Sequence, residues 1–368
     1  MKLRVPEYYS DFVCTADRCK DSCCIGWEID IDEDTRVYYN SIPGPFGERL
    51  RQHMFSTEDE DVFHFELQKK GHCPFLNDTN LCEICIELGE EALSEVCTEY
   101  PRFSLAYGDV LQKVLSLSCE EAGRLLFSKK EPLRFVEMGE IGEFERMEEE
   151  SEERLQFFEY VQDTGIELLQ ERSRSLGERI ERFLGFAEQM QSRLNSEQLD
   201  CPLSEEELEN CCAQRASQTK CGIWEDRDYA HFLERFQIFQ EMEVLGQEWA
   251  DVKKQLQTSW NPDNYAQLYE EFVNAKEYSV VDGEHVAVYA FFRYFMSAVY
   301  DDDILSRARM AVVFARMFLD LEILRYHANG KTFSDADRID VARVFSKEVE
   351  HSEENIEQFR EEMLFFKI

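Results

Sequence analysis

A chain of 368 residues, 43% apolar and 13% aromatic, has the length for two domains and the composition of packed cores, which excludes an intrinsically disordered protein. Its 77 acidic residues against 40 basic ones give a formal net charge of −37, a surface that repels phosphate backbones and anionic bilayers. Nucleic acid and membrane are therefore excluded as partners, and a lysine-bearing partner is favoured; plain solubility is the other use of such a surface.

The opening residues, MKLRVPEYYSDFVC, hold neither the apolar run nor the small-residue cleavage site of a secretory signal. No later stretch reaches the roughly 18 consecutive apolar residues of a membrane span, because Arg293 interrupts the run at 287–300. A cytoplasmic protein with reduced thiols is expected. Nine of its thirteen cysteines fall in the first 119 residues: Cys14, Cys19, Cys23, Cys24, Cys73, Cys82, Cys85, Cys97 and Cys119. Adjacent Cys23 and Cys24 could bridge each other only through a strained ring, and an odd total fits complete pairing poorly. Thiolates holding zinc or an iron–sulfur cluster explain the density better. Either kind of site takes four ligands, so this many thiols imply two sites or several bystanders.

Residues 61–67 alternate polar and apolar side chains and read as a strand. Residues 83–96 place Ile84, Leu88, Ala92 and Val96 on one helical face, which sets Cys82 and Cys97 about 20 Å apart at 1.5 Å per residue. The two can serve one small site only if that helix is interrupted, and Gly89 is where it would break. Residues 103–117 read as two strands joined at Gly108-Asp109, carrying Cys119 back towards the other thiols. Near residue 130 the Cys-, Gly- and Pro-rich character ends. The expected fold is mainly α, with a small Cys-rich α+β metal-binding domain at 1–130 and an acidic all-α domain at 131–368.

The run 137–154 holds nine glutamates in eighteen residues, a solvated linker or exposed helix whose other use would be to attract a lysine-bearing substrate. Residues 154–171, 177–194 and 229–257 repeat apolar residues at three- and four-residue intervals and read as helices. Ser204 before three glutamates reads as a helix start. It lies within a second cysteine group, Cys201, Cys211, Cys212 and Cys221, open to a further zinc or to free thiols. Residues 286–300 are apolar on nearly every face and should form the most buried helix. Residues 304–326 follow the acids Asp301, Asp302 and Asp303, which suit a helix start; Asn329-Gly330 closes that helix, and 335–366 supplies one or two more.

No G-x-G-x-x-G after a strand, Walker A, H-E-x-x-H or G-x-S-x-G occurs. The ordered set Cys14-TADR-Cys19-KDS-Cys23-Cys24-IGW, Cys73-Pro74-Phe75-Leu76, Leu81-Cys82, Leu93-x3-Cys97-Thr98-Glu99-Tyr100-Pro101-Arg102 and Ser116-Leu-Ser-Cys119-x2-Ala122 resembles the flagellin lysine N-methylases. More loosely it is similar to zinc- or iron-chelating domains with a C-x3-C-C motif. The resemblance spans about residues 3–127, and beyond 130 only a helical, acidic character is shared. It implies a 4Fe-4S cluster, with zinc as the alternative, on Cys14, Cys19, Cys23, Cys24, Cys73, Cys82, Cys97 and Cys119, and it leaves Cys85 outside the pattern. It also implies methyl transfer from S-adenosylmethionine to flagellin lysines.

Such a reaction needs a proton acceptor, because a lysine of pKa near 10.4 is protonated at neutral pH and cannot attack a methyl sulfonium. Tyr100 and Arg102, close to Cys97, are candidates for contact with the cofactor, the Arg102 guanidinium pairing with the carboxylate of the cofactor's methionine portion. Their plainer roles are a packed aromatic and a salt-bridge partner. Trp27 either shields the cluster or fills the core, and His72 could add a nitrogen ligand. The other function class open to the sequence is a non-enzymatic metal-binding adaptor, its N-terminal domain organised by metal and its helices binding a partner.

Overall fold

The computed structural model describes residues 1–26, 29–56, 63–140, 151–216 and 222–366. Trp27, Cys221, the start of the strand read at 61–67 and the middle of the glutamate run lie outside them.

In chain order the N-terminal region holds β1 (Lys2–Pro6), β2 (Asp30–Ile31), α1 (Glu33–Ser41), α2 (Gly44–His53), β3 (Met54–Ser56) and β4 (Phe63–Phe65). Then come α3 (Glu83–Leu88), α4 (Glu95–Glu99), β5 (Arg102–Tyr107), β6 (Val110–Leu115), α5 (Glu120–Ser128) and β7 (Phe135–Glu140). Two sheets result. One has the order β2-β4-β3 and is antiparallel. The other has the order β5-β6-β1-β7, with β1 parallel to β6 and antiparallel to β7. The hairpin expected around Gly108 forms as β5–β6, Arg102 opposite Leu115 and Tyr107 opposite Val110. β7 was not anticipated: it lies past residue 130, in the segment read as the start of the helical region, yet it pairs with the first strand of the chain.

The helix expected over 83–96 does not form as one piece. α3 ends at Gly89, whose φ of +95° is a conformation that side-chain-bearing residues rarely adopt, and a 3₁₀ turn at Glu90–Ala92 separates it from α4. The apolar period at 84, 88, 92 and 96 survives because both pieces bury the same side of the chain against Tyr39, Leu50, Phe65 and Phe75.

The remainder is helical: α6 (Glu152–Leu169), α7 (Leu176–Asn195), α8 (Glu205–Ala216), α9 (Tyr229–Glu241), α10 (Gln247–Ser259), α11 (Tyr265–Val273), α12 (Val280–Phe295), α13 (Ile304–Ala328), α14 (Asp335–Glu350) and α15 (Glu353–Phe365). The segment read as continuous at 229–257 is two helices, α9 and α10, parted at 242–246. Caps explain several starts. Ser175 and Glu178 make a capping box on α7, Ser334 and Asp337 another on α14, and Asp303 accepts the Ser306 N–H at the head of α13. As expected from its composition, α12 is buried on all faces from Val286 to Phe292. No described helix is long and apolar enough to cross a membrane.

A single large core joins β5, β6 and α5 to the helices as far as Met363, while a smaller core lies under α1–α4. The large one contains charges. Arg316 and Asp320, one turn apart on α13 and both fully buried, form an ion pair at 2.5 Å, and the Tyr265 hydroxyl donates to Asp320 at 2.8 Å. Removing one member of such a group leaves an uncompensated charge, typically at a cost of about 3–5 kcal/mol.

Close helix approach depends on Gly165 of α6. A Cβ there would stand 2.6 Å from the Phe291 ring of α12 and 3.0 Å from the Phe183 ring of α7. Gly165→Ala should therefore destabilise the fold by about 1–3 kcal/mol through overpacking, despite the roughly 1 kcal/mol that alanine gains in helix propensity. Urea unfolding followed by far-UV circular dichroism measures the difference.

Candidate metal centre

Burial and backbone pairing gather the N-terminal thiols. Cys73 is buried in the smaller core, and Cys24, Cys82 and Cys97 pack against it. The Cys73 N–H donates to the Cys24 carbonyl at 2.8 Å, and Leu76 bridges to Cys82, so three stretches of chain are laced together. Cys82 precedes α3 and Cys97 lies in α4; the break at Gly89 lets both face the core that the Tyr39 phenol shares. That phenol donates to the Ala92 carbonyl at 2.7 Å.

Cys119, by contrast, packs against the large core at the head of α5. Glu120 accepts from the N–H groups of Lys20, at 2.8 Å, and Asp21, at 3.2 Å, which lays the 14–21 loop over that helix start. Cys19 and Cys14 thereby come within electrostatic reach of Cys119. The loop is also tied to α14: Asp21 pairs with Arg343 and Lys347, each at 2.7 Å, and Lys20 pairs with Asp340 at 2.7 Å. Burial alone would raise the Asp21 carboxyl, but Lys347 and Arg343 hold it below its ordinary value.

The vicinal pair lies between these groups. A thiol–thiol hydrogen bond draws Cys24 down from the ordinary thiol value and pushes Cys23 up. Burial pushes Cys97 and Cys119 up to about 12 and Cys73 higher still, so without metal these are neutral thiols, and metal binding must displace their protons. Soft sulfur donors in this number suit zinc or an iron–sulfur cluster and no hard cation. Thiolates around one tetrahedral ion, bonded at about 2.3 Å, stand only about 3.8 Å apart. Among the described residues no three Cys, His, Asp or Glu side chains approach closely enough to hold a bare ion.

Tyr100 lies beside the thiols, within electrostatic reach of Cys119 and Cys23, and its hydroxyl shares a 3.1 Å hydrogen bond with Ser118. Arg102 turns elsewhere, its guanidinium 5.1 Å from the Phe12 ring and bonded to Tyr9. His72 is held through its backbone, paired with Ile25 and accepting from Gln68. Of the second cysteine group, Cys211 and Cys212 are buried free thiols on α8, hydrogen-bonded to each other, and the Cys201 thiol donates to the Gln156 carbonyl.

The sequence reading missed a polar seam behind Cys119. The fully buried Glu350 carboxylate receives hydrogen bonds from Ser116 at 2.7 Å, Tyr289 at 2.9 Å and Tyr294 at 2.8 Å, and from Ser346, and it pairs with Arg293 at 2.9 Å. His351 bonds Ser118 at 2.9 Å and meets the Tyr100 ring edge-on at 5.7 Å. Only the alternation of Ser116 and Ser118 before Cys119 hinted at it.

A second feature is a cleft of about 470 Å³ in the helical region, walled by Trp224, Tyr269 and Tyr278 and bearing Glu225, Arg227 and Arg174. Tyr269 donates to the Trp224 carbonyl at 2.9 Å, which fixes the wall. Burial raises the Glu225 carboxyl above its ordinary value. Beneath it Glu284 pairs with Arg172 at 2.8 Å and Arg179 at 2.5 Å.

Residues 162–367, more than half the chain, match the family model of the FliB lysine N-methylase C-terminal domain. The chain belongs to this family. The matched segment contains the cleft, Glu350 and the helices where the sequence reading saw only general helical character. Curated relatives include the lysine-N-methylases of Salmonella choleraesuis strain SC-B67 and Salmonella typhimurium strain LT2, each 30% identical over 120 residues. Those matches span 32% of this chain and 30% of each relative's length. The flagellar biosynthetic protein FliU of Salmonella muenchen is 29% identical over 120 residues, which cover 32% of this chain and 71% of FliU. No solved structure matches.

Two outcomes follow from the seam. Glu350→Ala should cost about 3–5 kcal/mol by stranding Arg293, and Glu350→Gln less, as read by urea unfolding. Burial lowers His351 from 6.5 to about 3, so the unfolded chain takes up a proton that the folded one refuses. Its contribution is intact above pH 6.5 and is lost as pH falls from there to about 3. His351→Gln should therefore show a smaller drop in unfolding midpoint between pH 7 and pH 4.5 than the unsubstituted protein.

Proposed function

We propose that this chain transfers a methyl group from S-adenosylmethionine to lysine side chains of a protein, with flagellin as the substrate, and that its N-terminal thiols hold iron–sulfur chemistry. The observation that carries the reading is membership of the FliB lysine N-methylase family through a segment that contains an aromatic-walled cleft. Two relatives bear the name lysine-N-methylase, and FliU is named for flagellar biosynthesis. The net charge of −37 favours encounter with a lysine-bearing substrate.

We assign both reactants to the cleft. Its volume lies within the range of small-molecule sites. Trp224 and Tyr269 offer apolar walls for the adenosyl group, and Arg227 and Arg174 on the rim suit the donor's carboxylate. Glu225 takes the proton from the incoming lysine ammonium, a role for which its burial-raised carboxyl is better matched than an exposed one. The free amine's lone pair then forms the N–CH₃ bond while the C–S electron pair returns to sulfur, leaving a neutral thioether. The step moves an electron pair and needs no redox partner. A cluster, when bound, would supply a one-electron couple and a rigid tie among thiolates.

The test is methyl transfer from labelled donor to purified flagellin by protein prepared without oxygen, with mass spectrometry to locate modified lysines. Glu225→Gln should lower kcat by about 10²–10⁴ with little change in donor affinity, whereas Trp224→Ala should weaken donor binding in calorimetry. Absence of S-adenosylmethionine affinity in metal-replete protein would overturn the reading in favour of a metal-organised adaptor.

A further inference from the structure

We propose that Arg316, buried behind the lining of the cleft, is a positioning residue for the reaction assigned there: its guanidinium holds the turn that carries Trp224 and Glu225. It thereby sets where a wall of the cleft and its proton acceptor stand. The inference rests on the reading of the cleft as the reaction site.

Residues 223–225 form a turn outside any helix or sheet, with Ile223 and Trp224 buried. Its carbonyls therefore have no ladder partners and must be met by side chains. Arg316 of α13, fully buried and not itself part of the lining, meets two of them. Its Nε donates to the Ile223 carbonyl at 3.1 Å and its Nη2 to the Asp226 carbonyl at 3.0 Å. Between these, the Trp224 carbonyl accepts from Tyr269 of α11 at 2.9 Å, and the Arg316 guanidinium lies 5.2 Å from the Tyr269 ring. One planar group thus touches both the turn and the aromatic ring that complete the wall.

The guanidinium is itself fixed. It pairs with Asp320 and donates to the Tyr265 hydroxyl at 2.7 Å. That hydroxyl also accepts from Arg235 at 3.1 Å and donates to Asp320 at 2.8 Å, so its one donor and two acceptor positions are filled. Arg235 in turn donates to the Asp226 carboxylate at 3.1 Å, so the far end of the turn is gripped through backbone and side chain by two buried arginines. The other side leaves no slack. A Cβ on Gly177 of α7 would collide with the Glu225 carboxylate, and one on Gly283 of α12 would stand 2.5 Å from the Trp224 ring. A lysine at 316 keeps a charge beside Asp320 but lacks the planar fork that serves two carbonyls and a hydroxyl at once. Arg316→Lys therefore loosens the turn without stranding Asp320.

The experiment compares full-length protein purified without oxygen with Arg316→Lys, Glu225→Gln, the two combined, and Gly165→Ala, whose added methyl meets Phe291 and Phe183 instead of the turn. Methyl transfer to flagellin, S-adenosylmethionine binding by calorimetry and urea unfolding are read on each. Arg316→Lys should lower kcat per donor-binding site by about 10²-fold, while Gly165→Ala lowers the unfolding midpoint and leaves that kcat unchanged. In the Glu225→Gln background the lysine should cost little more, because the group whose place it sets is already lost. Should Arg316→Lys not fold, Arg316→Gln with Asp320→Asn, which removes both charges of the pair, is read in the same way. A loss of midpoint with kcat per site unchanged, or an equal fold loss with and without Glu225, overturns the positioning role and leaves the cleft reading intact. Absence of both donor binding and methyl transfer in the unsubstituted, metal-replete protein overturns the cleft reading and this role with it.

Discussion

Glu350 is a carboxylate with no exposure to water, and three parts of the fold meet on it. Ser116 comes from the end of the β5–β6 hairpin, Tyr289, Arg293 and Tyr294 come from α12, and Ser346 comes from its own helix, α14. Desolvating such a charge is tolerable only when every lone pair is engaged, so the donors must all be present at once. That requirement fixes the hairpin against the helices. Cys119 is three residues beyond Ser116 and the His351 ring sits on Tyr100, so the thiol turn inherits its position from a charge buried in another part of the chain.

The two cores differ in how far apolar packing alone can hold them. The large one runs through long buried helices and tolerates internal ion pairs. The small one has few fully buried side chains, two of its helices are one or two turns long, and thiols occupy part of its interior. Cores of this size commonly need a metal or disulfide to be stable. Thiols that burial keeps neutral are poor nucleophiles and good latent ligands, because a metal that displaces the protons adds its binding free energy to folding. Metal-bound cysteines, as proposed, would stabilise the small core as well as equip it chemically.

Periodicity located most of the helical array because α6, α7, α12 and α13 each bury a regular pattern against the same core. It failed where the decisive contact was distant or the break was local. β7 exists because β1, some 130 residues earlier, offers it an open edge, and no pattern within 135–140 announces that partner. Gly89 could be named as a break point, but the period alone favoured one continuous helix, since both pieces face the same core. The interruption of 229–257 has no proline to mark it. The Asn355 side chain accepts from the Glu243 backbone at 2.9 Å, a contact from α15 that local sequence cannot show. The N-terminal thiols stood out in the sequence by number and spacing, whereas which core each one packs against depends on contacts that local sequence cannot show. The cleft was illegible because Arg172, Trp224, Tyr269 and Glu284 come from four separate stretches of chain.

α14 links the two candidate sites in physical terms. At one end Arg343 and Lys347 grip Asp21 in the thiol loop. Nearer its start Arg338 pairs with Asp282 of α12 at 2.8 Å and Glu322 of α13 at 3.1 Å. Glu284, two residues beyond Asp282, fixes Arg172 and Arg179 at the cleft. Apart from the half-buried Asp21–Lys347 pair, each link is a charge pair with a buried member, of the kind that holds one geometry because alternatives strand a charge. A metal held by the thiols, as proposed, would act through Asp21 on a helix that is tied to α12 beside the cleft. Displacement at a sulfonium needs a well-placed amine more than it needs an electron. A metal that makes the thiol region rigid can serve such a reaction through position alone.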